Sequence, residues 1–335
     1  MMLPLPVILG DVGGTFARFA VLSEHGRPEV LLAKAPTASH RTIITAIRDA
    51  LRQHRGAPPR SAIIAAAGPL SRGAVHLTNA NWTIDPAVIG QELELDEVVL
   101  TNDYTATAAA LPGFCRDGGG ALRIGSCDDR AGPQLVLGPG TGLGAAALLP
   151  FGRTRVIQAT EAGHVEFGPV SEREFRIWPL LERVHGRITA EALLSGAGVV
   201  RLYRAVAAVH RAAAPFETPA AIIAGWRGGD RIALEALRLF VTLLGRFAGD
   251  LALIFGANGG VFIAGGIAPR IEPLFTHDGT FRAAFEHKAP FEGTMRLAPT
   301  YLIMRAEPVL AGLSAIAADR ESFLMHAAHW RAGSR

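Results

Sequence analysis

The stretch Asp11-Val-Gly-Gly-Thr-Phe-Ala-Arg18 follows the apolar run Pro6-Val-Ile-Leu-Gly10 and precedes a second one, Phe19-Ala-Val-Leu22. A strand that ends in a carboxylate and turns through two glycines is suited to a nucleotide phosphate. Glycine leaves backbone N–H groups uncovered, and a carboxylate at the turn is a hard oxygen donor for Mg2+. Thr15 adds a hydroxyl at the same place. Taken alone, these residues also suit a plain β-hairpin whose turn is Gly-Gly. The rest of the chain separates the two readings.

A chain of 335 residues exceeds what most single cores hold, which favours two domains. With 49% hydrophobic and 19% charged residues and 38 glycines, it has the composition of a well-buried α/β protein rich in tight turns. A formal net charge of +3 without any Lys/Arg block argues against nucleic acid as a partner. Cys115 and Cys127 are spaced unlike a CxxC pair, which suits free thiols in a reducing compartment and makes the cytoplasm the expected location. Residues 3–9 lack a basic flank and run straight into Asp11, as a first strand does and a signal peptide does not. Residues 251–269 carry no charge, but five glycines and Asn258 among them argue against a membrane span.

Residues 7–9, 19–22 and 30–33 read as three short strands of an antiparallel meander. Apolar residues at 43, 44, 47, 50 and 51 have helical spacing, so a helix is expected over 43–54, followed by a buried strand at 62–67. Asp85 before Pro86 marks the start of a second helix over 86–93. A strand at 97–100 then leads into an alanine-rich helix at 104–111. Residues 134–137, the turn Gly138-Pro-Gly-Thr-Gly-Leu-Gly144, and strands at 145–149 and 155–158 repeat the opening pattern. Two halves that each begin strand, glycine turn, strand imply two similar lobes that present their turns to one nucleotide. This is the actin-like arrangement of sugar kinases and Hsp70 proteins.

The second glycine loop also satisfies the dinucleotide form GxGxxA at residues 140–145. That fold needs a long helix after the glycines, whereas only a short apolar run separates this loop from the Phe151-Gly-Arg153 turn. There is no GxxxxGK[ST], so phosphates have to be held by glycine backbone, threonine hydroxyls and a metal. Asn102-Asp103 stands at a strand end and helix start, where open α/β sheets place reactive groups, although Asp103 also suits a helix cap. Glu161-Ala-Gly-His164 has ExxH spacing, but Gly163 and Gly168-Pro169 oppose the helix that a metal pair would need. A polar loop gripping a polyol fits these residues better.

In their order and spacing these segments closely resemble the bacterial glucokinases, the ATP-dependent hexokinase family of proteobacteria. The resemblance runs over nearly the whole chain. It is carried by GDVGGTFARFAVL at 10–22, AAAGPL at 65–70, LTNANW at 77–82, TNDYTA at 101–106 and GPGTGLG at 138–144. EAGHVEF at 161–167, AEALLSGAGVVRLYRA at 190–205, GGVFIAGGIAPR at 259–270 and FRAAFEHK at 281–288 continue it. Three departures stand out: Phe16 where the family usually has Asn, Ala162 where it has a second Gly, and Tyr104 where Phe is common.

The resemblance implies an α/β protein of the actin-like (ribonuclease H-like) duplicated fold, with two lobes and an interdomain cleft. Residues 1–112 with about 300–335 would form the smaller lobe and 113–299 the larger. It implies ATP and Mg2+ as cofactors, D-glucose as the sugar, a homodimer, and no nucleic-acid or membrane partner. Asp103 would be the general base for the sugar 6-hydroxyl, and Asn79, Asn102, Glu161, His164 and Glu191 would bind the remaining hydroxyls. Gly10, Asp11, Val12, Gly13, Gly14 and Thr15 would face the nucleotide from one lobe and Gly138, Gly140, Thr141 and Gly142 from the other. Gly265 and Gly266 would lie beneath the adenosine, and Asp11 would hold Mg2+ through water.

Three other readings share some of these features. A kinase for another hexose or an amino sugar would use the same polar loop. A sugar-sensing regulator of the ROK type would place a DNA-binding helix-turn-helix ahead of the first glycine turn, and only ten residues precede Asp11 here. An actin-like ATPase would have no use for the Asn-Asp pair or the EAGH loop.

Overall fold

The computed structural model describes residues 2–77, 80–114, 119–125 and 130–333. Cys115 and Cys127 lie outside them. In chain order the strands of the first half are β1 (Val7–Val12), β2 (Phe16–Leu22), β3 (Val30–Pro36), β4 (Ser61–Ala66), β5 (Val75–Leu77), β6 (Trp82–Ile84) and β7 (Glu97–Asn102). They are followed by β8 (Ala121–Arg123), β9 (Gln134–Pro139), β10 (Leu143–Phe151), β11 (Thr154–Thr160), β12 (Gly260–Ile263), β13 (Thr300–Ile303), β14 (Phe323–Met325) and β15 (Ala327–Arg331).

Two sheets carry the fold. One has the order β15-β7-β4-β1-β2-β3, the other β14-β11-β10-β9-β12-β13-β8, and β5 and β6 form a small hairpin that the sequence pattern did not reveal. Both sheets contain the same run, β3-β2-β1-β4-β7 in one and β11-β10-β9-β12-β13 in the other. The central pairs are parallel in each: β1 with β4 and β4 with β7, β9 with β12 and β12 with β13. An antiparallel strand closes the far end of each run, β15 on β7 and β8 on β13. The echo of strand, glycine turn and strand is therefore part of a duplicated sheet.

The chain forms two compact units. The first comprises Met1–Arg116, Leu148–Ala159 and Arg305–Arg335, and the second Asp117–Ala147 and Thr160–Met304. In the first, Ile8, Phe19, Ile47, Ile64, Trp82 and Leu100 are among the buried side chains between the sheet and its helices. In the second, the long helix Arg231–Phe255 buries Leu237, Phe240, Leu244 and Phe247. Gly256 ends that helix in the left-handed region, at φ 58°, which glycine adopts without a Cβ penalty. The uncharged residues 251–269 thus divide into a helix end, a cap, strand β12 and a turn, and none of the described helices is long and apolar enough to cross a membrane.

Local chemistry explains most element ends. Asp85 accepts a hydrogen bond from the Ala87 amide at 2.8 Å and caps Pro86–Glu92, as its position before proline predicts. The first helix, Ile43–Leu51, stops short of the expected residue 54. β1 runs on to Val12, past the expected residue 9, because Asp11 and Val12 pair with Arg18 and Ala17 on one side and Ala65 and Ala66 on the other. The turn that follows is confined to Gly13–Thr15.

The helix Pro308–Ala318 packs on the helix Asp103–Phe114 at a point where a side chain on residue 312 has no room. A Cβ at Gly312 would lie 1.7 Å from the Ala106 carbonyl oxygen. Gly312→Ala is expected to push the two helices apart and lower stability by about 1–3 kcal/mol, read as a shift in the urea midpoint.

Candidate active site

In the first unit, parallel pairing aligns the carboxyl ends of three neighbouring strands. Val12 of β1 faces Ala66 of β4, and Ala66 faces Asn102 of β7. Asp11 and Asp103 therefore stand at the same edge of one sheet, two strands or about 10 Å apart. Ligands of open α/β sheets bind at this edge.

The turn at Gly13–Thr15 is fastened from both sides. The Gly13 amide donates to the Phe16 carbonyl at 3.0 Å. The fully buried Thr37 donates its hydroxyl to the Gly13 carbonyl at 3.0 Å and its amide to the Thr15 carbonyl at 2.9 Å. The Gly13 N–H, expected to be uncovered, is committed to the turn, so a phosphate placed here meets the amides of Gly14 and Thr15. Gly10 and Val12 are interior: a Cβ at Gly10 would lie 2.6 Å from Ile64 Cδ1, and Val12 is wholly buried. Any ligand would reach them through the backbone alone.

Asp11 is 9% exposed. Burial pushes its carboxyl from 3.8 up to about 6, against the pull of Arg18, whose Nη1 donates to Asp11 Oδ2 at 3.0 Å. Glu307 adds to the upward push and forms an ion pair with Arg18 Nε at 2.7 Å. Two carboxylates thus share one guanidinium, with Lys34 adding the weakest of the pulls on Asp11, an arrangement of hard oxygen atoms that fits a divalent cation held through water. Among the described residues, here or elsewhere, no group of three or more His, Cys, Asp and Glu side chains is placed to hold a metal ion. Arg18 and Glu307 are the site residues that sequence reasoning missed. Arg18 was within reach, because a turn at Gly13–Thr15 sets it directly opposite Asp11.

Asn102 Oδ1 and Asp103 Oδ1 both accept from the Tyr104 amide, at 2.9 and 3.0 Å. Asn102, whose side chain takes the amide two residues on, holds the cap position of Asp103–Phe114, and Asp103 is that helix's first residue, with one carboxylate oxygen oriented by the Tyr104 amide. Asn102 Nδ2 lies 3.4 Å from the Gly68 carbonyl. Asn79 falls outside the described residues.

In the second unit, Glu161 precedes a short 3-10 turn, Ala162–His164, and both Glu161 and His164 are exposed. Their side chains approach to 3.8 Å. The segment after this turn pairs with the one before Glu191. The Phe167 amide donates to the Ile188 carbonyl at 3.0 Å and the Ala190 amide to the Val165 carbonyl at 2.9 Å. Glu191, in the first turn of the helix Ala190–Leu193, accepts from the Leu143 amide at 2.9 Å, within the second glycine loop. Within that loop Gly138 is buried in β9 while Thr141 is exposed. Gly265, at φ 89°, would bring a Cβ to 2.2 Å from the Pro139 carbonyl oxygen, so it serves the close approach of two backbones, and the exposed Gly266 follows it. A pocket of about 340 Å3 opens at the Ala162–His164 turn: Glu161 and Ala162 line it with Glu166 and Asp250, and Phe167, Phe247, Leu251 and Ile254 make the rest of its wall mainly apolar.

The glucokinase family model matches residues 8–320. A glucokinase of Rhizobium meliloti is 42% identical, over 98% of this chain and 97% of that protein, and one of Mesorhizobium japonicum is 41% identical over the same shares. The chain belongs to the glucokinase family. Among solved structures, glucokinase from an Antarctic psychrotroph superimposes with a TM-score of 0.82 at 30% identity, over 93% of this chain and 98% of that one. A ROK family glucokinase from Streptomyces griseus, solved with glucose and AMPPNP, gives 0.63 at 20% identity over 93% and 99%, a likeness of fold. This glucokinase-family chain has the actin-like, ribonuclease H-like duplicated fold of the sugar kinases, in keeping with its repeated sheet order.

The raised Asp11 carboxyl has a consequence for stability. Its favourable contribution is fully present below about pH 4 and is lost as the pH rises through about 6, in total on the order of 3 kcal/mol. Urea denaturation at pH 4, 5, 6 and 7 should show the stability difference between Asp11→Asn and wild type moving in the variant's favour across that window.

Proposed function

We infer that this chain is a glucokinase that moves the γ-phosphoryl group of MgATP to the 6-hydroxyl of D-glucose, giving glucose 6-phosphate and ADP. Beside family membership, the observation that carries the reading is the shared edge of β1 and β7, where Asp11, which leads into the glycine turn, and Asp103 lie about 10 Å apart. Asp103, oriented by the Tyr104 amide, takes the proton of the 6-hydroxyl as its oxygen attacks the γ-phosphorus. The bond from that phosphorus to the ADP oxygen breaks in line, and the proton leaves Asp103 for solvent after product release. Little covalent chemistry falls to the protein, so positioning and charge neutralisation do most of the work.

The Gly14 and Thr15 amides and the Gly140–Gly142 loop face the phosphates in this reading, with Gly265 and Gly266 near the adenosine. When bound, Mg2+ neutralises charge on the terminal phosphates, and Asp11 is the residue that would hold it, through water. Glu161, His164 and Glu191 come from segments that pair with each other, which supports their serving one sugar. Asn102 offers its Nδ2 side to a hydroxyl. The enzyme works in the cytoplasm as a homodimer, and sedimentation against concentration reads the latter directly.

Asp103→Ala is expected to lower kcat by roughly 10² to 10⁴. Glucose should still raise the melting temperature of that variant, since binding and proton removal are separate tasks. A near-wild-type rate removes the base assignment, and a wild-type protein that glucose fails to stabilise removes the substrate.

A further inference from the structure

We propose that Glu191 is a positioning residue for the second glycine loop as well as a sugar ligand, so that the segment gripping the sugar also fixes the loop facing the nucleotide. The proposal rests on the glucokinase reading above and adds to it a physical link between the two substrates within the second unit.

The link runs through Leu143, the residue that follows Gly140-Thr-Gly142. Its amide donates to Glu191 Oε2 at 2.9 Å. Its carbonyl lies against the sugar loop: a Cβ at Gly163 would come within 2.5 Å of Leu143 O and 3.2 Å of Leu143 Cβ. Leu143 is thus held from its N–H side by Glu191 and from its C=O side by the EAGH turn, while its side chain is buried in the core. Glu191 also closes over the loop itself, because a Cβ at Gly142 would lie 2.5 Å from Glu191 Oε2. Glycine at 142 is what allows the carboxylate to reach the Leu143 amide. The loop is otherwise tied by the Gly140 amide to the Gly142 carbonyl at 2.8 Å and by the Gly196 amide to the Gly140 carbonyl at 2.9 Å.

Glu191 has two acceptor oxygens, and only Oε2 is engaged among the described residues. Oε1 is the atom that a sugar hydroxyl would use. A carboxylate divided in this way makes the loop sensitive to the residue that binds the sugar, even before sugar arrives. Losing the Oε2 contact frees the Leu143 amide and with it the loop that the phosphates need ordered.

The test is MgADP affinity in the absence of sugar, measured by calorimetry on the full chain, together with glucose KM. Glu191→Ala should weaken sugar-free MgADP binding about tenfold. Glu191→Gln keeps a carbonyl oxygen for the Leu143 amide and should hold MgADP affinity within about twofold of wild type while glucose KM rises. Gly163→Ala displaces the Leu143 carbonyl and should weaken MgADP binding although residue 163 belongs to the turn assigned to the sugar. Unchanged sugar-free MgADP affinity in Glu191→Ala would make Glu191 a sugar ligand alone and overturn the proposal. Should that variant fold poorly, wild-type affinity in Gly163→Ala overturns it equally. A wild-type protein without glucose-dependent turnover would instead remove the glucokinase reading itself.

Discussion

A carboxylate at the end of a buried strand has to be met by a cation, and the first unit is organised around how Asp11 is met. Arg18 reaches it from the opposite strand of the hairpin, and Glu307 pairs with the same guanidinium. Glu307 immediately precedes the helix Pro308–Ala318, whose buried Leu313 and Ile316 join it to the core. That helix in turn packs on the one that begins with Asp103, at the Gly312 contact. The returning C-terminal segment therefore supports both halves of the first unit's candidate site, the carboxylate beside the glycine turn and the carboxylate on the helix. Two carboxylates share the Arg18 guanidinium, with Lys34 pulling more weakly on Asp11, and oxygen atoms arranged so suit a divalent cation held through water.

The duplicated sheet uses one topology for two kinds of chemistry. In the first copy the carboxylate is built into the strand that leads to the glycine turn. In the second, GPGTGLG contains no acid, and the carboxylate arrives from outside as Glu191. The difference follows from what each turn is fastened to. Thr37 pins the first turn from the adjoining 3-10 segment, whereas the second has Glu191 and the Ala162–His164 turn against it. A strand order can be repeated by duplication, but the residues that complete each turn come from elsewhere in the chain.

Sequence patterns carried the fold well where periodicity and turn chemistry agree. The β-β-β-α-β-α-β-α order, the proline-led helix after Asp85 and the strand echo at residue 134 all reflect local rules. What local rules could not supply was the β5–β6 hairpin, whose strands are three residues long, and the grouping of Leu148–Ala159 with the first unit. The reach of β1 to Val12 depends on pairing with residues as far away as Ala66. At the site, single residues in motifs were legible, and their supports were not. Glu307 lies nearly three hundred residues from Asp11, and the Leu143–Glu191 contact joins two motifs that sequence reading treats separately.

The family departures gain a physical explanation from the same supports. Phe16 contributes its backbone carbonyl to the turn, accepting from Gly13, so exchanging asparagine for phenylalanine leaves that bond intact. Its ring is 40% exposed and lies beneath the Lys34 ammonium at 5.7 Å, a contact that asparagine does not make and that costs the turn nothing. Ala162 places its methyl against the core of the second unit, where the added carbon fills space that glycine leaves empty. Gly163 beside it has no such freedom, because the Leu143 carbonyl occupies the place of its side chain. Tolerance at 162 and intolerance at 163 within one short turn follow from which side of the backbone the loop is pressed.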